Sequence, residues 1–540
     1  MKEKRPNIII FNPDQMRWDS MGHMGNPAAI TPNLDQLARE GVSFNNAYCQ
    51  NPVCTPSRCS FMSGWYPHVR GHRTMHHMMK ADEPVLLKQL KDNGYYVWMQ
   101  NRNDLIPAQE KRFGELANCI FQPDRGAESR PIGSERADKD SDEYYSFFRG
   151  KIGDGKSVLD RDKITVDGAT EFILNWKEQE REEPLCMFIP LQYPHPPYQL
   201  EEPFYSMIDR NKLPVRRQPP EDWNTKPSIL HGIWEEQGLQ NWSEEKWNEL
   251  RAVYLGMCSR VDDLLGQVLE TLKKAGMYDD STVFVFSDHG DYTGDYGIVE
   301  KNQNTFEDPL VRVPFLIKPS SGISVQPGIR TQMVELIDFY TTVQELAGFP
   351  LTHTQFGKSL LPVLADKNKE HREAVYAEGG RLDRELQCAD VDVTKPLDKE
   401  NEYYPRLKQQ AMGSPAHAKA TMCRTHDYKY IRRMAEDDEF YDLNADPQER
   451  VNRINDPALQ EKIKYHKELM LGWYQETCDT VPVQLDQRFS VDMALGMRGI
   501  IVEPKILAVL EEKMEGKILN SATFKELFGY LDGLLNHKEK

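Results

Sequence analysis

Four short apolar runs, Asn7–Phe11, Tyr95–Met99, Leu185–Pro190 and Thr282–Ser287, alternate with helical stretches through residues 1–370. Each run is bounded by turn or polar residues, as strands are. Strands that alternate with helices predict an α/β fold with a mostly parallel sheet covered on both faces. Between the runs, Thr31–Glu40 reads as a helix, with Thr31 as N-cap and Pro32 at the first helical position. Lys163–Glu180 and Ser243–Ala275 read as two more, the latter opening on the charged turn Ser243-Glu244-Glu245-Lys246. Segments 120–162 and 197–242 are rich in Pro, Gly, Asp and aromatics and are expected to be long loops over one face of the sheet. After residue 370 the pattern changes. Val375–Glu378, Tyr428–Ile431 and Phe440–Leu443 suggest strands, and 457–476 a helix, of a smaller α+β region. The expected domains are therefore 1–370, 371–478 and a helical extension, 479–540.

The chain has 540 residues, enough for two or three domains and a large core. A net charge of -17 argues against a general nucleic-acid-binding surface, so any anion site must be locally basic. No run approaches the ~20 apolar residues that span a bilayer, so no membrane partner is expected. Met1–Pro6 leads straight into the first apolar run, with no h-region or cleavage site, and a cytoplasmic location is expected. The nine cysteines are scattered and odd in number, which fits reduced thiols better than a disulfide framework.

Ligands of open α/β sheets bind beyond the carboxyl ends of the strands. The first strand ends in Asn12-Pro13-Asp14-Gln15 and a later one in Ser287-Asp288-His289-Gly290-Asp291, which brings carboxylates, an amide and an imidazole to one edge. A metal could sit there, although Asp-His-Gly after a strand also reads as a helix cap. Cys54 opens the run Cys54-Thr55-Pro56-Ser57-Arg58-Cys59-Ser60-Phe61-Met62-Ser63-Gly64. Taken alone, it fits a small buried apolar residue in a turn.

Cys54-Thr55-Pro56-Ser57-Arg58 resembles the signature of type I sulfatases, in the alkaline-phosphatase-like superfamily. Pro6–Asp14 looks like the opening strand of that family, and Thr31-Pro32-Asn33-Leu34-Asp35 like the stretch that follows it. The resemblance implies that a formylglycine-generating enzyme oxidises Cys54 to formylglycine, whose hydrate is the nucleophile. It also implies that Asp14, Gln15, residue 54, Asp288 and His289 hold one divalent cation. A mostly oxygen donor set suits Ca²⁺, while the histidine leaves Mn²⁺ or Mg²⁺ open. Arg58 matches the arginine expected to hold the formylglycine and its hydrate. His195, in Tyr193-Pro194-His195-Pro196-Pro197, matches the histidine that faces the ester's bridging oxygen and protonates the leaving alcohol. Lys301 falls where the family places a lysine on the transferring group.

Two departures stand out. Sulfatases commonly carry Gly-Lys after the second strand, often with a histidine two residues on; this chain has Asn101-Arg102-Asn103-Asp104. Arg102 can clamp an anion, and Asp104 can either take the proton that releases sulfate or cap a helix. Gln15 replaces the second aspartate of many sulfatases and resembles the form found in phosphonate monoester hydrolases.

Hydrolysis of a small-molecule or carbohydrate sulfate monoester is thus expected, with phosphonate monoester or phosphodiester hydrolysis as the alternative. A metal-bearing binding protein without turnover is the third reading. His72, His76 and His77 are candidates for lining the pocket. Trp223, Trp234, Trp242 and Trp247 fit either a sugar platform or loop packing. The extension beyond 479 fits either a homo-oligomer contact or packing on its own chain.

Overall fold

Ile8, Ile9 and Ile10 leave the first strand no polar face, and it is buried on both sides: Ile8 and Ile10 enter one core, Ile9 and Phe11 the other. The computed structural model describes residues 5–102, 104–122, 135–153, 160–483, 485–486 and 488–536. Its strands are β1 Asn7–Asp14, β2 Val42–Tyr48, β3 Tyr96–Gln100, β4 Cys119–Phe121, β5 Phe148–Lys151, β6 Leu185–Pro194 and β7 Tyr198–Leu200. They continue with β8 Ser281–Phe286, β9 Phe315–Lys318, β10 Gly328–Glu335, β11 Val375–Gly379, β12 Ala420–Arg424, β13 Tyr428–Arg433 and β14 Glu439–Asp442. An eight-stranded sheet has the order β10-β2-β9-β8-β1-β6-β3-β4. Strand β9 runs antiparallel to β2 and β8, and the other neighbours in this sheet are parallel. The expected α/β architecture is the one found.

Helices cover both faces. The helix Glu244–Lys274 lays Val253, Met257, Val261 and Leu264 on the Ile9 face. Of the first two helices in the chain, α1 Pro32–Glu40 and α2 Cys54–Ser63, α2 lies on the other face and presses Phe61 onto Phe286 of β8, ring centroids 5.0 Å apart. Only α2 belongs to that second face; α1 buries Leu34 and Leu37 with the Ile9 core. Thr31 takes the N-cap position of α1, but its hydroxyl bonds the Asp35 carboxylate instead of a helix amide.

The smaller sheet, β11-β12-β13-β14, is antiparallel, and the helix Gln460–Thr477 covers it with Ile463, Met470 and Trp473. Residues 1–350 and 355–479 cluster as one compact unit. Residues 351–354 and 480–540 form another, in which the helices Val491–Gly496, Pro504–Lys513 and Ser521–Asn536 share a core of Leu495, Leu510, Leu527 and Leu531. Among the described residues no helix is long and apolar enough to cross a membrane. The nine cysteines are free.

The expectation of a plain loop over 197–242 needs correction. Strand β7 pairs with β5, and Ser228–Gln237 is a helix that buries Ile229, Leu230 and Ile233. Its apolar stripe is short and interrupted by Gly232, where a Cβ would lie 2.4 Å from the Gln409 side chain. The glycine allows another helix to approach, and so it hid the periodicity. Of the expected loop 120–162, residues 123–134 and 154–159 lie outside the described residues, and the rest contains β4 ending at Phe121 and β5.

Candidate active site

The apolar runs of β1 and β8 are neighbours in the sheet, so their polar ends meet. Asn12 Nδ2 donates to Phe286 O at 2.7 Å and joins the two ends. Beyond Asp14 the chain turns through Gln15 at φ +68, a left-handed conformation that a non-glycine residue holds only when its surroundings compel it. The turn aims Gln15 N at Asp288 Oδ1, 3.1 Å away, while Tyr254 donates its hydroxyl to Gln15 O at 2.8 Å. On the β8 side, Gly290 is required by a close approach: a Cβ there would lie 1.9 Å from Pro309 O.

Cys54 is the first residue of α2, a helix start whose unpaired amides favour negative charge. One ligand atom from each of Asp14, Cys54, Asp288 and His289 falls within a span of 4.8 Å, and all four residues are buried. Cys54 Sγ lies 3.4 Å from Asp14 Oδ1 and 3.2 Å from His289 Nε2. His289 Nδ1 is 2.9 Å from Gly290 O, a carbonyl that can only accept, so Nδ1 carries the proton and the Nε2 lone pair faces the cluster. Burial lowers the pKa of His289 and favours this neutral form. Two carboxylates and an inward lone pair fit a divalent cation. As a thiol, Cys54 is a poor nucleophile: burial and Asp14 push its pKa well above the ordinary range.

Cations surround the cluster. Arg58 Nη2 lies 3.2 Å from Asp14 Oδ2 and 2.9 Å from Asp288 Oδ2. Arg102 pairs with Asp14 Oδ2 through Nη2 and reaches Asp104 Oδ2 through Nε at 2.9 Å. Burial alone would raise the pKa of Asp14, but Arg102 foremost, with Lys301 and Arg58, holds it well below the usual carboxylate range. Asp104 is not a helix cap; it sits in a bend, paired with Arg102 and 3.8 Å from Arg58.

Lys301 Nζ donates to Gln15 Oε1 at 2.5 Å and lies 3.1 Å from Glu300 Oε1. Gln15 therefore turns its oxygen towards Lys301, while its Nε2 donates to Asp291 Oδ2 at 2.5 Å. Burial opposes the charge on Lys301, but Cys54, Glu300 and Asp14 keep its pKa above the usual lysine range. His195 Nδ1 lies 2.6 Å from Pro196 O, so this nitrogen carries a proton as well. Burial and Lys301, with Arg102 behind them, push the pKa of His195 down to about 3. The ring is neutral at pH 7, with Nε2 bare.

The other candidates are engaged elsewhere. His72 bonds His77 O and Glu83, His77 bonds Thr74, and His76 approaches Asp390 O. Trp242 and Trp247 are buried with ring centroids 4.8 Å apart, and Trp223 packs on Trp234 at 4.9 Å, so these indoles pack loops. Asp291 and Glu300 were not read from the sequence as site residues; Glu300 adjoins Lys301, and Asp291 lies two residues after His289. Asp291 also accepts from the Tyr198 hydroxyl, at 2.8 Å.

The family profile described as sulfatase matches residues 6–349. The multifunctional alkaline phosphatase superfamily protein PehA of Trinickia caryophylli is 25% identical over 515 residues, covering 87% of this chain and 95% of that protein. The choline-sulfatase of Rhizobium meliloti is 25% identical over 482 residues, covering 85% and 84%. Among solved structures, a phosphonate monoester hydrolase from Silicibacter pomeroyi superposes with a TM-score of 0.69 at 21% identity, covering 88% of this chain and 96% of that one. With the profile spanning more than half of its length, the chain belongs to the sulfatase family.

Proposed function

We propose that the chain hydrolyses an organic sulfate monoester, a sulfated carbohydrate or an aryl sulfate. Residue 54 acts as formylglycine, and a divalent cation is held by Asp14, Gln15, residue 54, Asp288 and His289. Ca²⁺ is the preferred ion from the donor set, ahead of Mn²⁺ and Mg²⁺. The cation supplies positive charge for polarising the sulfate. The aldehyde hydrate supplies one hydroxyl as nucleophile and a second through which the aldehyde is restored.

The residues of the chain do the rest. Arg58 and Arg102 orient the transferring group through fixed forks of donors that stay charged when desolvated. Lys301 offsets charge on its oxygens. His195 begins neutral, so it must gain a proton at Nε2 before it can give one to the leaving alcohol. The negative charge of a bound ester beside it favours that uptake. Asp104 is the acceptor for the proton lost when sulfate is released, and its two arginine partners keep it ionised until then.

The observation that carries this reading is the convergence of Asp14, Cys54, Asp288 and His289 within 4.8 Å, at the first turn of a helix that opens on the family signature. The choline-sulfatase relative supports sulfate as the transferred group. Gln15, which leaves the metal site one charge less negative than a second aspartate would, favours phosphonate monoesters and phosphodiesters as the second reading. Matched aryl sulfate, aryl phosphonate and bis-aryl phosphate substrates separate the two. The aryl sulfate should turn over fastest, and a dominant phosphonate or diester rate overturns the assignment. Mass spectrometry of the intact protein, coexpressed with a formylglycine-generating enzyme, should show sulfur and two hydrogens exchanged for one oxygen. Cys54→Ala should abolish turnover in folded, metal-loaded protein.

A further inference from the structure

Residues 380–418, between β11 and β12, are fastened to the stretch that carries Lys301. Asn304 Nδ2 donates to Ala416 O at 3.2 Å and to Ala418 O at 2.8 Å. Gln303 donates to the Asp390 carboxylate, which also accepts from Gln410 Nε2 at 3.2 Å. At Gly379 the backbone comes so close that a Cβ would lie 1.9 Å from Gln303 O. These ties set the helix Tyr404–Met412 beside Glu300, and Arg406 Nη1 reaches Glu300 Oε2 at 3.3 Å.

Arg406 is held from behind as well. Its guanidinium lies over the Tyr403 ring, 4.4 Å from the centroid, and Tyr403 packs on Phe147 at 5.0 Å. The Arg406 side chain is 11% exposed, yet its buried Nε has no hydrogen-bond partner among the described residues. The same is true of Asn302 Nδ2, next to Lys301. Glu300 faces two cations, Arg406 at 3.3 Å and Lys301 at 3.1 Å. The cluster borders the site through Lys301, whose Nζ lies 3.1 Å from Glu300 Oε1 and donates to Gln15 Oε1.

We propose that Arg406, stacked on Tyr403, binds an anionic group carried by the leaving alcohol, a carboxylate or a second sulfate. This rests on the reading of His195 as the residue that faces the leaving oxygen. A guanidinium on an aromatic face, short of one partner and largely shielded from water, suits a planar carboxylate or a sulfonated oxygen trio.

The test uses matured, metal-loaded protein and three probes: 4-nitrophenyl sulfate, its 3-carboxy analogue and its 3-sulfo analogue. The readout is the ratio of kcat/KM for each anionic probe to that for 4-nitrophenyl sulfate. Arg406→Gln should lower the ratio by on the order of 10- to 100-fold for at least one anionic probe, as expected for a lost hydrogen bond between charged groups. Arg406→Lys should restore part of it. Which probe responds tells carboxylate from sulfate. Ratios that stay within about twofold of the parent for both anionic probes overturn the proposal, even if all rates fall together, because a prop for Glu300 would weaken them equally. If the parent cleaves none of the sulfates, the proposed function fails instead. The same three phenols mounted as phenylphosphonate monoesters then measure the ratio.

Discussion

His195 sets the clearest demand at the scale of single residues. Burial, Lys301 and Arg102 leave it neutral in the free protein, with Nδ1 fixed on Pro196 O and only Nε2 able to accept a proton. Binding of inorganic sulfate near pH 6.5 should therefore take up a proton, read by calorimetry in buffers of different ionisation enthalpy. In His195→Asn the uptake should vanish. The same variant should lose on the order of 10²- to 10⁴-fold in kcat, the usual worth of a general acid. Across aryl sulfates of graded phenol acidity, the loss should be steepest for the poorest leaving groups. A loss independent of the phenol would remove His195 from the leaving-group side. Asp14, Asp288 and His289 were legible because they follow apolar runs directly, and Cys54 and Arg58 because they share a short signature, whereas Lys301 was read only from its place in the family pattern. Arg406 and Tyr403 were not, because they lie a hundred residues beyond Lys301 with no local pattern, and only the fold brings them near Glu300.

Among elements, the join between β8 and the Asp288-His289 turn tolerates little change. Gly290→Ala places a methyl 1.9 Å from Pro309 O, so the turn must move and take two candidate ligands with it. We expect a stability loss of about 1–3 kcal/mol, as for other overpacked sites. Metal affinity should fall more than tenfold, measured by titration against thermal unfolding. Strand β11 offers a pH test. Against the upward push of burial, Arg73 and His68 hold Glu378 down to about 2 from an ordinary 4.5. The folded value is the lower one, so this stabilisation is full above pH 4.5 and disappears as pH falls towards 2. Its size is about 3 kcal/mol. Urea unfolding of the parent and Glu378→Gln should differ most at neutral pH and converge near pH 2. Strands β1, β3, β6 and β8 showed in the sequence because they are continuous apolar runs. Strands β2 and β10 did not, since Ser43, Asn45 and Asn46 interrupt one and Arg330, Thr331 and Gln332 the other.

For the whole molecule, the site draws on segments from residue 14 to residue 301, so occupancy by a cation ties distant parts of the chain together. Chelation should abolish turnover and lower the unfolding temperature, and Ca²⁺ or Mn²⁺ should restore both. At a hundredfold excess over its dissociation constant, a bound ion adds about 2.7 kcal/mol of stability. The α/β class followed from alternation alone, but the order of the sheet did not, and the way 380–418 reaches over the strand ends depends on long-range ties such as Asn304 to Ala418. One feature constrains the life history of the protein. Cys54 is only 2% exposed, at the start of a helix buried along its whole length. A maturation catalyst cannot grip five consecutive residues that the finished core encloses. The proposed oxidation would therefore have to happen on a nascent or still-open chain, and a molecule that closed too early would be committed to remain a thiol.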